Sequence, residues 1–399
     1  MSIPSTFRLA ALSILLLALP VQAQEASPTL YYAYAAAESD DAVFLVQFDG
    51  QDAEVVKRIP VGFYPTENEG AHGLTVSPDG AHWYLSLAHG QPFGYLLKYE
   101  TGSDELVGRT ELGLFPATMS ISPATGLLYA VNFNLHGQME PSTVSVVDVE
   151  TMTEITQIET GVMPHGSRLS PDGRRHYSAA MMSGELYEID AVTLDVSRIL
   201  DLATGESVPI TTMDHGGMDH GGMDHGGMDH GGMDHSGMDH GSMDHGSMGD
   251  SAPSPTWVSP HPSAARVYVA NNGSDEILEV DTDTWTVLRR FEAPGRPYNV
   301  AVTPDGAQLV ATYKGAGAIG VWDLEGGTER VRLPSSRTVT HGVVISPDSR
   351  YAFVTAEGLG DEAGVVDVID LADGSLAATV EIGKQAGGIA FWKMEDAQP

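Results

Sequence analysis

The residues best suited to chemistry are crowded into one stretch. From Met213 to Met248 the unit Met-Asp-His-Gly-Gly repeats with a strict spacing of five. It carries His215, His220, His225, His230, His235, His240 and His245, together with Met213, Met218, Met223, Met228, Met233, Met238, Met243 and Met248. That is half of the chain's 16 methionines and seven of its 15 histidines, so the composition points to ligand supply rather than packing. Thioether sulfur suits soft Cu(I), whereas imidazole and carboxylate suit Cu(II), nickel or zinc. Copper in either oxidation state is the metal that uses both donor sets, with nickel or zinc as alternatives. Glycine pairs and the absence of any apolar residue except methionine predict a flexible loop, because such a tract buries too little to offset its ordering entropy.

Something must hold that loop. The chain opens with Arg8, an apolar run from Leu9 to Leu19, and Val21-Gln22-Ala23. This reads as a signal peptide over residues 1–23, cleaved near Ala23 and too short to span a bilayer, which predicts an exported, periplasmic protein with no membrane span. There is no cysteine, which excludes disulfides, thiolate metal sites and cysteine nucleophiles. The formal charge of -34, from 54 acidic and 20 basic residues, argues against nucleic acid and favours attraction of cations.

Repeats define the frame. Ser77-Pro78-Asp79-Gly80, Ser122-Pro123, Ser170-Pro171-Asp172-Gly173, Ser259-Pro260, Thr303-Pro304-Asp305-Gly306 and Ser346-Pro347-Asp348 recur at intervals of 45, 48, 89, 44 and 43 residues. Removing an insertion at 203–255, which contains the tract, returns the long interval to about one repeat. Each repeat reads as four short strands, with proline, aspartate and glycine building type I turns rather than calcium sites. The end of the chain, Gly388 to Trp392, supplies a first strand, and the segments from Leu30 to Tyr34 and from Ala42 to Phe48 supply a second and a third. The prediction is therefore an all-β, seven-bladed β-propeller over residues 24–399, of four-stranded antiparallel blades, with the N- and C-terminal strands sharing one blade.

Val267-Tyr268-Val269-Ala270-Asn271-Asn272, the recurrent Ser-Pro-Asp-Gly turns and Val366-Asp367-Val368-Ile369-Asp370 resemble the YVTN-type β-propeller family of exported bacterial proteins. The tract separately resembles the Met-Asp-His-Gly-Met runs of periplasmic copper-resistance proteins, although no His-X-His motif of a multicopper oxidase accompanies it. These resemblances imply the propeller fold and copper handling. Some YVTN relatives resemble lactonases, and nitrous oxide reductase carries a histidine-bound copper cluster on seven blades. A lactonase-like or copper-cluster enzyme thus stands as an alternative, resting on fold analogy alone.

Counting back five residues from each turn gives His72, Ala117, His165, Ser254, Tyr298 and His341, with Gly387 in the last blade. Three histidines then stand at the start of inner strands in blades one, three and six, each followed by a glycine that would let the backbone turn the ring inward. Inner strands at the usual ~10 Å sheet spacing would put the channel wall roughly 11 Å from its axis, although inner edges converge more closely than blade centres. An imidazole reaching ~6 Å would then need a narrow mouth to share one ion at ~2.0 Å. His89 and His136, in loops between second and third strands, are further candidates on the same face, with Met139 and Met181-Met182 nearby. The tract joins blades three and four and should hang over that face.

The bland readings are a low-complexity linker for the tract and strand-end hydrogen bonding for the His-Gly pairs. His82, His176 and His261, on the opposite face, read as structural or solvated. The acidic runs Glu38-Ser39-Asp40-Asp41 and Gly360-Asp361-Glu362 read as exposed loop charge. No Gly-X-Ser-X-Gly, His-Glu-X-X-His or phosphate loop is present, so catalysis has no local signature. The expectation is a monomeric, periplasmic copper-binding protein that collects, buffers or delivers the ion, with another exported copper-handling protein as its partner. A propeller binding a protein or a non-metal ligand is the competing class.

Overall fold

The computed structural model describes residues 29–64, 66–90, 92–210 and 252–397. Residues 1–28, which include the expected signal peptide, and the whole of Met213 to Met248 lie outside them. Among the described residues there are seven antiparallel sheets, and in six of them the strands follow in chain order. The seventh sheet is built from Ala386–Asp396, Thr29–Ala37, Ala42–Phe48 and Ala53–Pro60, so the two ends of the chain close the ring within one blade. Closure removes the open sheet edges that would otherwise template further pairing.

Burial grades outward within each blade. The inner strands Ala71–Val76, Pro116–Ile121, Pro164–Leu169, Pro255–Pro260, Pro297–Val302 and Val339–Ile345 are mostly buried. The outermost strand Thr328–Pro334 alternates exposed with half-buried residues, as a strand with one solvated face must. Apolar clusters fill the spaces between blades. Trp83 and Tyr99 stack at 4.0 Å, and Tyr34 of the closing blade stacks on Trp83 at 5.1 Å. Asp104 accepts hydrogen bonds from Tyr34 Oη at 3.0 Å, Trp83 Nε1 at 2.9 Å and Lys57 Nζ at 2.6 Å, fastening the closing blade to the first.

The Ser-Pro-Asp-Gly turns are self-satisfied. Ser77 Oγ donates to Asp79 at 2.5 Å and the same carboxylate accepts the Ala81 amide at 3.0 Å, a pattern repeated at Ser170, Thr303 and Ser346. Gly80, Gly173 and Gly306 each have φ near +70°, where glycine carries no steric penalty.

Blade four departs from the expected register. Ser170 N bonds to Arg175 O across its turn, and the matching bond is made by His261 N to Arg266 O, not by Ser259. His261 Nδ1 accepts the Ala264 amide at 2.9 Å, replacing the aspartate of the other turns. The residue at the level of His72 and His165 in this blade is consequently Thr256, two positions from the expected Ser254. Ser259-Pro260 and His261-Pro262 offer two alternative starts for the turn, and strand pairing selects the second.

The flanks of the insertion belong to the blades. Ser207–Val208 pairs with the outer strand of blade three, Ile199 opposite Val208, and gives that sheet a fifth strand. On the return side Ser254 N bonds to Asn271 Oδ1 at 2.7 Å, and Pro253 lies beside Gly184. The chain therefore leaves from the outer rim of blade three and re-enters on the upper face, the face at which inner strands begin.

Candidate functional site

Three sequence-distant histidines meet at the upper end of the central channel. His72, His165 and His341 are all buried, at 7%, 2% and 7% exposure. The His72 ring lies 6.3 Å from that of His165 and 6.0 Å from that of His341, centre to centre. The mouth is narrow because inner strands converge on the axis more closely than sheet faces pack.

A ring of main-chain latches holds this level in place. Ser86 Oγ donates to Ala117 O, Thr118 Oγ1 to His165 O at 2.6 Å, Thr256 Oγ1 to Tyr298 O at 2.6 Å, Thr312 Oγ1 to His341 O and Thr355 Oγ1 to Gly387 O at 2.6 Å. Each hydroxyl ties one blade to the first strand of the next. The glycines after the histidines serve the same packing and not, as expected, the inward turn of the ring. A Cβ on Gly73 would stand 1.7 Å from Ala117 O, one on Gly166 2.3 Å from Thr256 O, and one on Gly342 2.7 Å from Gly387 O.

The imidazoles are oriented from behind. Glu38 accepts His72 Nδ1 at 2.9 Å and His89 Nε2 at 2.6 Å. Thr256 O accepts His165 Nδ1 at 3.2 Å. A carboxylate or carbonyl on one ring nitrogen fixes the tautomer and leaves the other nitrogen as the working atom. Tyr298 sits at the same level in blade five, its hydroxyl 3.0 Å from His165 Nε2 and 3.3 Å from His341 Nε2. His341 Nδ1 is buried without a hydrogen-bond partner. Phe115 and Phe133 collar the cluster, 5.2 Å from the His72 ring and 4.7 Å from the His165 ring.

The reading of Glu38 as exposed loop charge is overturned. It lies on a short 3₁₀ turn, Glu38–Asp40, and is 5% exposed. Asp41 of the same run is also engaged, accepting the Glu69 and Gly70 amides. Burial alone would raise the Glu38 carboxyl, but His72 and His89 outweigh it and hold the group well below the usual carboxylate range. Burial works against charge on His89 as well, and the Glu38 contacts reverse that and raise it. Burial, with His72 nearby, pushes His165 down to about 3. Burial and the nearby Lys314 push His341 well below its ordinary value. Both of these rings are neutral at ordinary pH, the state in which imidazole binds a metal.

Of the other candidates, His89 joins the cluster through Glu38. His136 is exposed in its loop with φ at 68°, and Met139 is 62% exposed; no hydrogen bond, ion pair or ring contact joins His136 to the cluster among the described residues. Met181 is buried in the apolar cluster around Phe133. The tract histidines and methionines fall outside the described residues. Among the described residues, no group of three or more His, Cys, Asp or Glu side chains is gathered as a metal requires. A cleft of about 680 Å³ opens between blades three and four near Ser170 and His261, at the opposite face. Its Arg175 and Arg266 are paired with Asp190 at 2.5 Å and Glu279 at 2.6 Å, and Arg198 pairs with Glu188, which leaves little charge for a ligand.

The fold and its site define a seven-bladed β-propeller with a histidine-lined upper channel. No family model matches the chain. A 124-residue stretch is 29% identical to "Seven-bladed beta-propeller protein Rv1057" of Mycobacterium tuberculosis, spanning 30% of this chain and 31% of that protein. The match therefore covers about a third of the relative's length. Hydrazine synthase from Kuenenia stuttgartiensis is similar in structure, with a TM-score of 0.54 and 17% identity over 78% of this chain and 80% of that one. That likeness concerns the fold alone. No described helix is long and apolar enough to cross a membrane.

Proposed function

We propose that this propeller is a periplasmic metal-binding protein that handles copper, with the Met213–Met248 tract as a multivalent collector and the channel histidines as an ordered acceptor. The observation that supports it most is the convergence of His72, His165 and His341 from blades one, three and six, with ring centres 6.0 and 6.3 Å apart. Two imidazoles on one ion, each nitrogen ~2.0 Å from it, have centres roughly 5.2–5.5 Å apart. A contraction of about 1 Å, within ordinary side-chain adjustment, would bring His72 to that spacing from each of the other two rings. Glu38 and Thr256 O supply the outer partners that such ligands ordinarily have.

The chain after the tract re-enters the fold at Ser254 on the same face. Many weak His and Met sites tethered by glycine raise the local ligand concentration, so an ion lost from one unit is recaptured by the next. Its capture should fail below pH ~6, where protons compete for imidazole. Nickel or zinc would use the imidazoles but gain nothing from the methionines. A second exported copper-handling protein is the natural recipient. The competing reading, a propeller that binds a protein or non-metal ligand, is favoured by the fact that no three His or carboxylate donors are yet drawn to metal distance among the described residues.

Metal analysis of purified protein after copper loading tests the proposal. Several equivalents of copper per chain are expected, most of them lost when Met213 to Met248 is deleted. One tight equivalent should survive the deletion and disappear in His72→Ala. Equal copper in the full-length and deleted proteins would contradict the collector.

A further inference from the structure

We infer that Tyr298 is a ligand of the same centre and makes it selective for Cu(II) over Cu(I). This rests on the metal-binding reading above and adds the ion's oxidation state to it. The Tyr298 hydroxyl lies 3.0 Å from His165 Nε2 and 3.3 Å from His341 Nε2. Two donor atoms each ~2.0 Å from one ion are roughly 2.8 Å apart at a right angle and roughly 3.3 Å apart in a tetrahedron. The phenolic oxygen already stands at the separation of a neighbouring ligand from each of the two nitrogens.

The hydrogen bonds fix where the protons sit. Thr256 O can only accept, so His165 Nδ1 carries the proton and Nε2 is a lone pair. The single phenolic proton must then go to His165, and His341 must donate Nε2–H to the phenolic oxygen. His341 Nδ1 is left as a bare acceptor, which agrees with its being buried and unpartnered. The result is a relay running from His341 through Tyr298 and His165 to Thr256 O. Binding a dication balances simply. The phenolic proton would leave to solvent, the His341 proton would move from Nε2 to Nδ1, and Tyr298, His165 and His341 would hold the ion through one phenolate oxygen and two imidazole nitrogens. One proton is released per ion from these three residues, and the neighbouring His72 adds a third imidazole.

A donor set of imidazole and phenolate favours Cu(II), whereas soft thioether favours Cu(I), and thioethers are concentrated in the tract. The two halves of the molecule would therefore prefer different oxidation states of one metal. Tyrosine is absent from Met213 to Met248, so a phenolate signal in the full-length protein cannot come from the tract.

The test is titration of full-length protein and Tyr298→Phe with Cu(II) and, separately, with Cu(I) under reducing conditions, followed by visible absorption and paramagnetic resonance. Phenylalanine keeps the ring packing against His165 and His341. Cu(II) should produce a phenolate-to-copper charge-transfer band in the parent that Tyr298→Phe lacks. The tightest Cu(II) equivalent should weaken at least ~10-fold, the scale of one lost first-sphere or supporting contact, with little change for Cu(I). If Tyr298→Phe retains the parent's spectrum and tightest Cu(II) affinity while His72→Ala loses that equivalent, the tyrosine assignment is wrong and the histidine centre stands. If His72→Ala also matches the parent, both are wrong. Should Tyr298→Phe fail to fold, resonance Raman of the copper-loaded parent decides the matter: phenolate modes support the tyrosine ligand, and their absence overturns it.

Discussion

Acidification from pH 7 to pH 5 is expected to cost about 4 kcal/mol through two buried histidines, a large part of the stability of an ordinary domain. Burial holds His165 and His176 at about 3, so both are neutral when folded at pH 5. Burial lowers His341 as well, and it acts in the same direction. Unfolded, each titrates near pH ~6.5. A folded value below the unfolded one means that stability is complete above pH ~6.5 and drains away as pH falls toward the folded value. Between those limits each histidine costs about 1.4 kcal/mol per pH unit, or about 2 kcal/mol by pH 5. His89 has the opposite sign: its raised value adds stability below pH ~6.5 and loses it as pH rises through the folded value. Glu38 keeps its contribution at pH 5 and loses it only as pH falls from the usual carboxylate value of ~4.3 toward its lowered one. The clasp between them offsets part of the loss.

Urea midpoints at pH 7, 6 and 5 check this, and His176→Phe isolates one term. His176 is fully buried, both ring nitrogens lack partners, and its ring stacks on Tyr129 at 5.1 Å. Phenylalanine preserves the stack and removes the titrating group, so the variant should lose about 2 kcal/mol less than the parent over the same range. A stability that is flat or rises toward pH 5 would contradict the buried, neutral state of these rings.

Replacing Gly73 by alanine should cost about 3 kcal/mol or more, the upper end of overpacking, because the obstructing atom is main chain. The new methyl would stand 1.7 Å from Ala117 O, itself latched by Ser86 Oγ. Gly388→Ala should behave alike, with His72 O at 2.0 Å. Gly126 provides the comparison: its φ is +75° but nothing lies within 4 Å, so Gly126→Ala carries backbone strain alone, about 1 kcal/mol. Equal thermal shifts for Gly73→Ala and Gly126→Ala would show that the blades can separate to admit a methyl group.

The turns and alternating strands make the seven blades legible without coordinates, and the shared closing blade follows from which strands the two chain ends lack. The level of His72, His165 and His341 is also legible, since all three precede their turns by five residues. Glu38 escapes notice because an acidic run after a strand resembles any loop, and only the closing of the ring brings it against His72. Tyr298 stands at the right level yet draws no attention in a search for imidazole. Blade four misleads by two residues because Ser259 and His261 both precede proline. The glycine after each histidine is visible, but its purpose lies in the neighbouring blade's carbonyl, a contact that no linear pattern carries.

The most direct measurement is anomalous diffraction at the copper edge from crystals of the copper-loaded, full-length protein. One ordered copper should appear at the upper end of the channel, bound by His72, His165 and His341 with the Tyr298 oxygen beside it. A channel mouth with no copper in protein that carries several equivalents elsewhere would contradict the ordered acceptor.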